Sequence, residues 1–432
     1  MAHTLDAILQ RALAGISQHP QERRNLFWLT TACLLSGAAA TLCGGDLWTG
    51  FLKQTGFTMT QMGVMSSAGG FAAAFALIAF MGLADRIQRR IRVYAICILV
   101  SAVGPVIIVA AALAPRTALP LSAMLAIFLG LGVGQALVMA IPTMLDYPVM
   151  ARAASVEIRG RLFGMTTTAY GVLGIGLGWL SAHALKSVAY PMGYVWCFLA
   201  GAAAIALRAA AFSRVRELPE LAVAGASRSV LPLAALVDVM RLKEFRWLAG
   251  PHVARGLATS VAGFALPVGL QHLGLPKYFP GYASSVTTAA TVLGGIVVGL
   301  YADRLGAAWA TLWGDVLYAL GMATVMLSPS PATFLLLYLV MHFGRNIEDN
   351  AVPLGAINIV PAEHLGAFSA ARLMILIASG AVGAPIFGYL FDHCNPALVF
   401  GLAACLKLLT GVWFWWVLRL KPPMRPPAVA AA

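Results

Sequence analysis

One long apolar segment in the C-terminal half of the chain contains a group of ionisable and amide side chains. On a helix, His342, Arg345, Asn346 and Asp349 are three or four residues apart, so they lie on one face with Glu348 beside them. An ionised side chain at the centre of a bilayer costs at least about 2.5–3.5 kcal/mol, so this face cannot meet lipid. These side chains must therefore line a water-filled cavity or form ion pairs with one another. Asp349, Glu348 and His342 are candidates for proton coupling, because carboxylates and imidazole can exchange protons there.

A second polar pair interrupts another apolar segment. His252 and Arg255 are three residues apart and share a helical face. Arg255 and Arg345 are candidates for binding a solute carboxylate or phosphate by bidentate hydrogen bonds, with His252 and Asn346 beside them. The alternative is an internal salt-bridge network, in which Arg345 and Asp349, four residues apart, neutralise each other.

The composition indicates a membrane protein. Of 432 residues, 60% are hydrophobic and only 10% are charged, and the mean hydropathy is +0.84. Long uncharged runs recur along the chain without the alternation of barrel strands, which is typical of a polytopic helical membrane protein. The six cysteines have no regular spacing, and no catalytic motif, phosphate-binding loop or cluster of metal ligands is present. The sequence therefore predicts a protein that is not an enzyme, with no cofactor and no metal site.

Apolar runs of about 20 residues predict twelve transmembrane helices. They lie near 26–49, 58–81, 92–114, 119–144, 162–184, 191–212, 247–271, 281–301, 308–328, 332–354, 367–391 and 396–419. The long polar connection 213–246 separates two six-helix bundles, 26–212 and 247–419, which an N-terminal segment 1–25 and a tail 420–432 flank. Single charges, Asp315 and Lys407, lie in the ninth and twelfth spans. We expect Asp315 to pair inside its bundle.

Lysine and arginine residues concentrate on one side of this topology. Only Lys53, Arg116, Lys186 and Lys277 lie on the other side, outside the spans. Because positive residues are retained in the cytoplasm, both termini and the central connection are predicted to be cytoplasmic. This distribution accounts for the net charge of +13 without a nucleic-acid partner. The sequence predicts a monomer in the cytoplasmic (inner) membrane whose partners are the lipid bilayer, a small-molecule substrate and protons.

Short charged motifs recur at equivalent places in the two halves. The second span is followed by Leu83, Ala84, Asp85 and Arg86 and then Arg89 and Arg90, the eighth by Ala302, Asp303 and Arg304, the fourth by Glu157 and Arg159, and the tenth by Glu363. Such repetition is typical of an internally duplicated transporter. The first motif resembles the signature of the major facilitator superfamily, although Met81 and Gln88 stand where that signature has glycine. The resemblance implies an all-α fold of two pseudo-symmetric six-helix bundles.

The same resemblance implies a set of gating residues on the cytoplasmic side. In the superfamily the acidic and basic residues of these loops latch the two bundles together in one transport state. Carried over, Asp85, Arg86, Arg89 and Arg90 pair with Glu157 and Arg159, and Asp303 and Arg304 pair with Glu363. The alternative is that these residues act only as topology signals.

The superfamily lines its cavity with the first, fourth, seventh and tenth spans, which extends the list of candidates. Asp46 of the first span and Asp146 of the fourth are expected to take part in proton coupling. Gln135 and Tyr147 of the fourth span are expected to contact the solute. The twelfth span, which usually faces lipid in this superfamily, carries Lys407 as an exception.

The sequence thus predicts an alternating-access secondary transporter for a small organic solute that is anionic or zwitterionic, coupled to protons. One alternative is a proton-driven exporter of drugs or metabolites. It is disfavoured because the fifth span lacks the Gly-Pro pair that is usual in drug antiporters of the superfamily. Another alternative is a protein that resembles a transporter but acts as a sensor or assembly factor. Such a role does not need charges on all four cavity spans.

Overall fold

The computed structural model describes residues 19–80, 87, 89–115, 117–153, 156–216, 232–357 and 365–420. Within these ranges, the side chains at 146–148, 150–152, 156–164, 232–236, 244, 302–305, 356–357, 365–367 and 420 lie outside the description. Every regular element in the described ranges is an α-helix. The predicted all-α class is confirmed.

The helices are numbered here in chain order. They are α1 (Pro20–Cys43), α2 (Gly45–Thr55), α3 (Met59–Phe80), α4 (Arg90–Ser101), α5 (Val103–Leu113), α6 (Leu121–Ala153), α7 (Val156–Ser187), α8 (Met192–Phe212), α9 (Pro232–Arg241), α10 (Lys243–Ala262), α11 (Ala265–His272), α12 (Phe279–Leu305), α13 (Ala307–Val325), α14 (Pro331–Ile357), α15 (Leu365–His393) and α16 (Pro396–Leu420).

Three apolar segments consist of two helices joined at a break. Helix α2 begins at Gly45, whose φ of +46° lies in the left-handed region that favours glycine. Helix α4 gives way to α5 at Ala102, shortly before Pro105, which has no N–H to donate to the preceding turn. Helices α10 and α11 meet at Gly263 and Phe264. Each break interrupts a segment that the sequence predicts as one span.

In the described part of the chain, nine segments are long and apolar enough to cross a membrane. They are the joined pairs α1–α2, α4–α5 and α10–α11, and the single helices α3, α6, α8, α12, α15 and α16. Helices α7, α13 and α14 are also long. With these three, the architecture is consistent with the predicted count of twelve.

The first compact unit comprises the described residues of 1–57, 75–230 and 276–288. In it α1 packs against α7 and α8, and α4 packs against α6 and α8. Gly37 on α1 has no side chain to keep the backbone of α7 at Tyr170 away, so the two helices approach closely. Leu29, Ile98 and Phe212 belong to a buried apolar cluster of this unit.

The second compact unit comprises the described residues of 58–74, 231–275 and 289–432. In it α10 packs against α15 and α16, and α13 packs against α14 and α16. Phe245, Phe368 and Phe414 belong to its buried apolar cluster. These four pairings repeat, helix for helix, those of the first unit, which confirms the predicted pseudo-symmetric bundles. Because α3 and α12 each contribute residues to both units, the predicted domain boundaries stay a prediction.

Candidate functional site

Six charged side chains on four helices of the second unit form one connected group, called here the charged network. Its members are Arg255 on α10, Asp315 on α13, Arg345, Glu348 and Asp349 on α14, and Lys407 on α16. Glu348 is the central member: one carboxylate oxygen lies 2.7 Å from Nε of Arg255 and the other lies 2.6 Å from Nζ of Lys407. Lys407 also contacts Asp315, with 2.8 Å between Nζ and Oδ1.

Four members of the network are buried and their charges balance. Arg255 is 2% exposed, and Asp315, Glu348 and Lys407 are fully buried. Two cations therefore face two carboxylates away from solvent. Removing one partner of a buried ion pair typically costs about 3–5 kcal/mol, because the remaining charge is left uncompensated. The mutual pairing explains how these four groups are tolerated inside an apolar bundle.

The other two members form the exposed end of the network. The side chains of Arg345 and Asp349 are 37% and 42% exposed, and Nε of Arg345 lies 3.6 Å from Oδ2 of Asp349. The second oxygen of Asp349 contacts the guanidinium of Arg255. Asp349 is thus shared between a buried and an exposed arginine. A solute that reaches this end meets one cation and one anion.

Glycines on α13 and α16 allow the network to assemble. A Cβ added at Gly314 would lie 2.9 Å from the backbone nitrogen of Glu348, so only glycine lets α13 and α14 approach this closely. A Cβ at Gly411 would lie 2.6 Å from Cβ of Asp315. Gly411 is one turn after Lys407 on α16, so its missing side chain leaves room for Asp315 beside that lysine.

Both predicted histidines are buried in the second unit. Nδ1 of His252 donates a hydrogen bond to the Leu248 carbonyl at 2.7 Å, and its ring meets Phe414 edge to face. The ring of His342 lies 4.4 Å from that of Tyr338. Within the described residues, Nε2 of each histidine has no hydrogen-bond partner. His252 is therefore anchored to its own helix.

Asn346 lies beside His342 on α14 but bonds within its own helix. Its Nδ2 donates to the His342 carbonyl at 2.8 Å, and Nδ2 of Asn350 donates in turn to the Asn346 carbonyl at 2.7 Å. The side-chain oxygen of Asn346 remains as its acceptor group. The polar face of α14 thus contains amides that form hydrogen bonds within the helix, as well as charged side chains that contact other helices.

Gln135 and Asp46 belong to the first unit, whereas the charged network belongs to the second. Nε2 of Gln135 donates to the Ser101 carbonyl at 2.7 Å. That carbonyl has no helical donor, because the residue four positions later is Pro105. Asp46, in the first turn of α2, accepts a hydrogen bond from Thr287 at 2.9 Å. The side chains of Asp146 and Tyr147 lie outside the described residues.

Gln135→Leu is expected to lower the unfolding free energy by about 1–3 kcal/mol, because the Ser101 carbonyl is left unsatisfied. Thermal unfolding in detergent measures this, and Thr143→Val is the control, since Thr143 is an exposed residue of α6 whose hydroxyl bonds within the helix. If Gln135→Leu leaves stability unchanged but abolishes stabilisation by a solute, Gln135 contacts the solute instead.

Most of the predicted gating residues lie outside the described residues. These are Asp85, Arg86 and Glu363, together with the side chains of Glu157, Arg159, Asp303 and Arg304. Arg89 is exposed, and Nε of Arg90 donates to the Ile87 carbonyl at 3.3 Å. The cytoplasmic latch stays a prediction.

The candidate site predicted from the sequence does not include Asp315 and Lys407. Asp315 pairs inside the bundle as expected, and its partner is Lys407. Lys407 lies on a span expected to face lipid, yet it is fully buried and its Nζ lies 5.0 Å from the Tyr318 ring. The available signal was one unpaired charge of each sign in the ninth and twelfth spans, which favours an ion pair between them.

The described residues contain no group of three or more His, Cys, Asp or Glu side chains that could hold a metal ion. The carboxylates of the charged network face cations instead.

The helices and their buried charges define a multi-pass helical membrane protein. A sequence profile described as Major Facilitator Superfamily matches residues 248–432. The predicted resemblance to this superfamily is confirmed, and the chain has its fold.

Solved structures of transporters share this fold over almost the whole chain. A D323A mutant of the nucleoside transporter NupG aligns with a TM-score of 0.70 and 15% identity, covering 91% of this chain and 99% of that one. A bacterial homologue of the human lysosomal transporter Spinster gives 0.64 and 14%, covering 94% and 99%. A D-xylose-proton symporter gives 0.65 and 15%, covering 91% and 97%. A search of curated proteins finds no match.

Proposed function

We propose that the chain is an alternating-access secondary transporter for a small organic solute, anionic or zwitterionic, and that protons drive it. The observation that carries this proposal is the charged network, in which an exposed arginine–aspartate pair is joined to fully buried charges. Ionisable groups inside a membrane are costly and are kept for function. The transporter folds that resemble the chain support the general class.

The exposed end of the network suits the binding of a carboxylate or a zwitterion. The Arg345–Asp349 contact of 3.6 Å is longer than the buried contacts of 2.6–2.8 Å, so it is the weakest pair in the group. A solute carboxylate forms a bidentate hydrogen bond with the guanidinium of Arg345. A solute ammonium group donates a hydrogen bond to the oxygen of Asp349 that still accepts when the carboxyl is protonated. A lipophilic cation would be repelled by the positive charge of Arg345.

Asp349 is the group we assign to proton coupling. When it is ionised, it holds both Arg345 and Arg255. A proton on its carboxylate removes that charge, which frees Arg345 for the solute anion, while Arg255 keeps Glu348 as its partner. Proton and anion then bind together, which is the requirement for symport. The likeness to a D-xylose-proton symporter supports proton coupling.

The remaining candidates take supporting roles in this proposal. Glu348 and His252 hold Arg255 and the α10 backbone in position. His342 and Asn346, on the same face of α14 as Arg345, contribute hydrogen-bonding groups to the solute. The superfamily resemblance implies solute contact for Gln135 and Tyr147 and proton coupling for Asp46 and Asp146, and these roles in the first unit stay proposals.

The first test is ligand-dependent thermal stability of the purified protein. A panel of organic acids, amino acids, nucleosides, sugars and lipophilic cations is compared on wild type, Arg345→Gln and the control Arg214→Gln, which removes an exposed arginine of the other unit. A ligand at a hundredfold excess over its Kd stabilises the fold by about 2.7 kcal/mol. We expect an anionic or zwitterionic compound to stabilise wild type and Arg214→Gln but not Arg345→Gln.

Two results would contradict the proposal. If only lipophilic cations stabilise the protein and Arg345→Gln responds as wild type does, the arginine is structural and the exporter alternative takes its place. If no compound of any class stabilises it, and none is taken up by proteoliposomes, the non-transporting alternative is favoured.

A further inference from the structure

The last turn of α16 carries a cation that lies against two neighbouring indole rings. The guanidinium of Arg419 lies 4.9 Å from the Trp415 ring centre and 5.6 Å from that of Trp309 on α13. The two rings lie 5.4 Å apart at an angle of 63°. Arg419 is exposed, and no carboxylate of the described residues forms an ion pair with it. Its side chain is therefore held in place while its charge stays available.

Other cations lie at the same end of α16, where it packs against α10. Nζ of Lys243 lies 5.1 Å from the Trp247 ring, and Trp247 stacks on Trp416, next to Trp415 in the chain. Arg246 is exposed beside Trp247. Within the described residues neither Lys243 nor Arg246 is in an ion pair. The end of α16 thus combines tryptophans with cations that pair with no carboxylate of the described residues, the combination found at a membrane–water interface.

An apolar groove of about 270 Å³ opens on α12, α13 and α14 close to this end. Its wall includes Val298, Tyr301, Trp313, Leu317, Phe343 and Ile347. Trp313 is 57% exposed and follows Trp309 by four residues, so the two indoles share a face of α13 about 6 Å apart along its axis. The groove therefore begins about one helical turn from the tryptophan that supports Arg419.

A cation at one end of an apolar groove matches the two parts of a phospholipid. We propose that this surface binds one anionic phospholipid, with the headgroup phosphate on Arg419 and an acyl chain in the groove beside Trp313. The guanidinium fork matches phosphate oxygens, and the neighbouring Lys243 and Arg246 favour a headgroup of net negative charge over a zwitterionic one. The site lies entirely within the second unit and does not depend on the transported solute.

Native mass spectrometry of the delipidated full chain in detergent tests this inference. The probes are phosphatidylglycerol, phosphatidylcholine with the same acyl chains, and glycerol phosphate, which has the headgroup charge but no chain. We expect phosphatidylglycerol to bind more tightly than phosphatidylcholine, and glycerol phosphate not to bind. Arg419→Gln should weaken phosphatidylglycerol about fivefold, as expected for one cation near a lipid surface. Trp313→Ala should weaken both lipids.

The matched control is Arg214→Gln, because Arg214 is also exposed and lies 5.7 Å from a tryptophan ring, that of Trp28, in the first unit. It should bind phosphatidylglycerol as wild type does. Equal binding of the two lipids to wild type would overturn the proposal. So would equal losses in Arg214→Gln and Arg419→Gln, or binding of glycerol phosphate as tight as that of the lipid. Melting temperatures of the lipid-free variants establish that each is folded.

Discussion

Lys407→Met is expected to lower the unfolding free energy by about 3–5 kcal/mol, because it removes one partner from a buried group of charges. Asp315 and Glu348 both contact the Lys407 ammonium and are fully buried. Without that ammonium, two carboxylates face the single cation of Arg255. Methionine keeps most of the apolar part of the side chain, so the decrease in unfolding free energy reflects the lost charge more than a lost volume. Thermal unfolding and detergent denaturation of the purified variant measure it.

The second-site change Asp315→Asn should recover most of that loss. In the double variant one carboxylate, Glu348, again faces one cation, Arg255, at 2.7 Å. Lys186→Met is the matched control, since Lys186 also lies over a tyrosine ring, 5.7 Å from that of Tyr278, but is exposed. We expect it to change stability by less than about 0.5 kcal/mol. If Lys407→Met were tolerated as well as Lys186→Met, or if Asp315→Asn made it worse, the charge balance derived from the geometry would be wrong.

The sequence predicts those parts of this site that depend on one helix. Spacings of three and four residues place Arg345 and Asp349 on one face of α14, and the structure pairs them there. The cost of burying an ion in lipid likewise predicts that Arg255, inside an apolar span, has a polar partner or a functional role. These inferences need only the helical repeat and the polarity of the bilayer. They hold whatever surrounds the helix.

The parts that depend on contacts between helices could not be predicted in this way. The opposite charges of Asp315 and Lys407 favour a pair, but nothing local indicates that α13 and α16 pack closely enough to form it. Gly411 permits that approach, and a glycine in an apolar span has many other uses. For the same reason the sequence predicts Gln135 to be a polar residue that lines the cavity. Its hydrogen bond to the Ser101 carbonyl, which Pro105 leaves without a backbone donor, indicates a structural role.

The fold follows more directly from the sequence than the site does. Apolar lengths and the polar connection 213–246 predict the spans, and repeated charged motifs predict two similar bundles. The breaks within spans follow from single residues. Gly45 has a positive φ, and Pro105 removes a backbone donor. A hydropathy window averages over such residues, so it predicts one helix where the structure has two.

Asp349→Asn is expected to abolish accumulation driven by a pH gradient while leaving exchange of the solute intact. With one proton moved per anion, a gradient of one pH unit supplies about 1.4 kcal/mol, which is about tenfold accumulation in proteoliposomes. Asparagine imitates the protonated carboxylate, so Arg345 stays free to bind the solute but no proton is carried. The accumulation ratio should therefore fall to about one, because the pH gradient no longer drives the solute. Counterflow of the compound found in the stability panel should continue.

The direction of the gradient separates this mechanism from its main alternative. Symport predicts accumulation by wild type when the outside is acidic, whereas a proton-driven exporter accumulates the solute when the inside is acidic. Arg345→Gln is the complementary variant, because it keeps Asp349 as a proton carrier and removes the anion's partner. It should lose both accumulation and counterflow. If Asp349→Asn still accumulated the solute tenfold, the proton would travel on another carboxylate, and Arg255 and Arg345 would hold Asp349 for structural reasons alone.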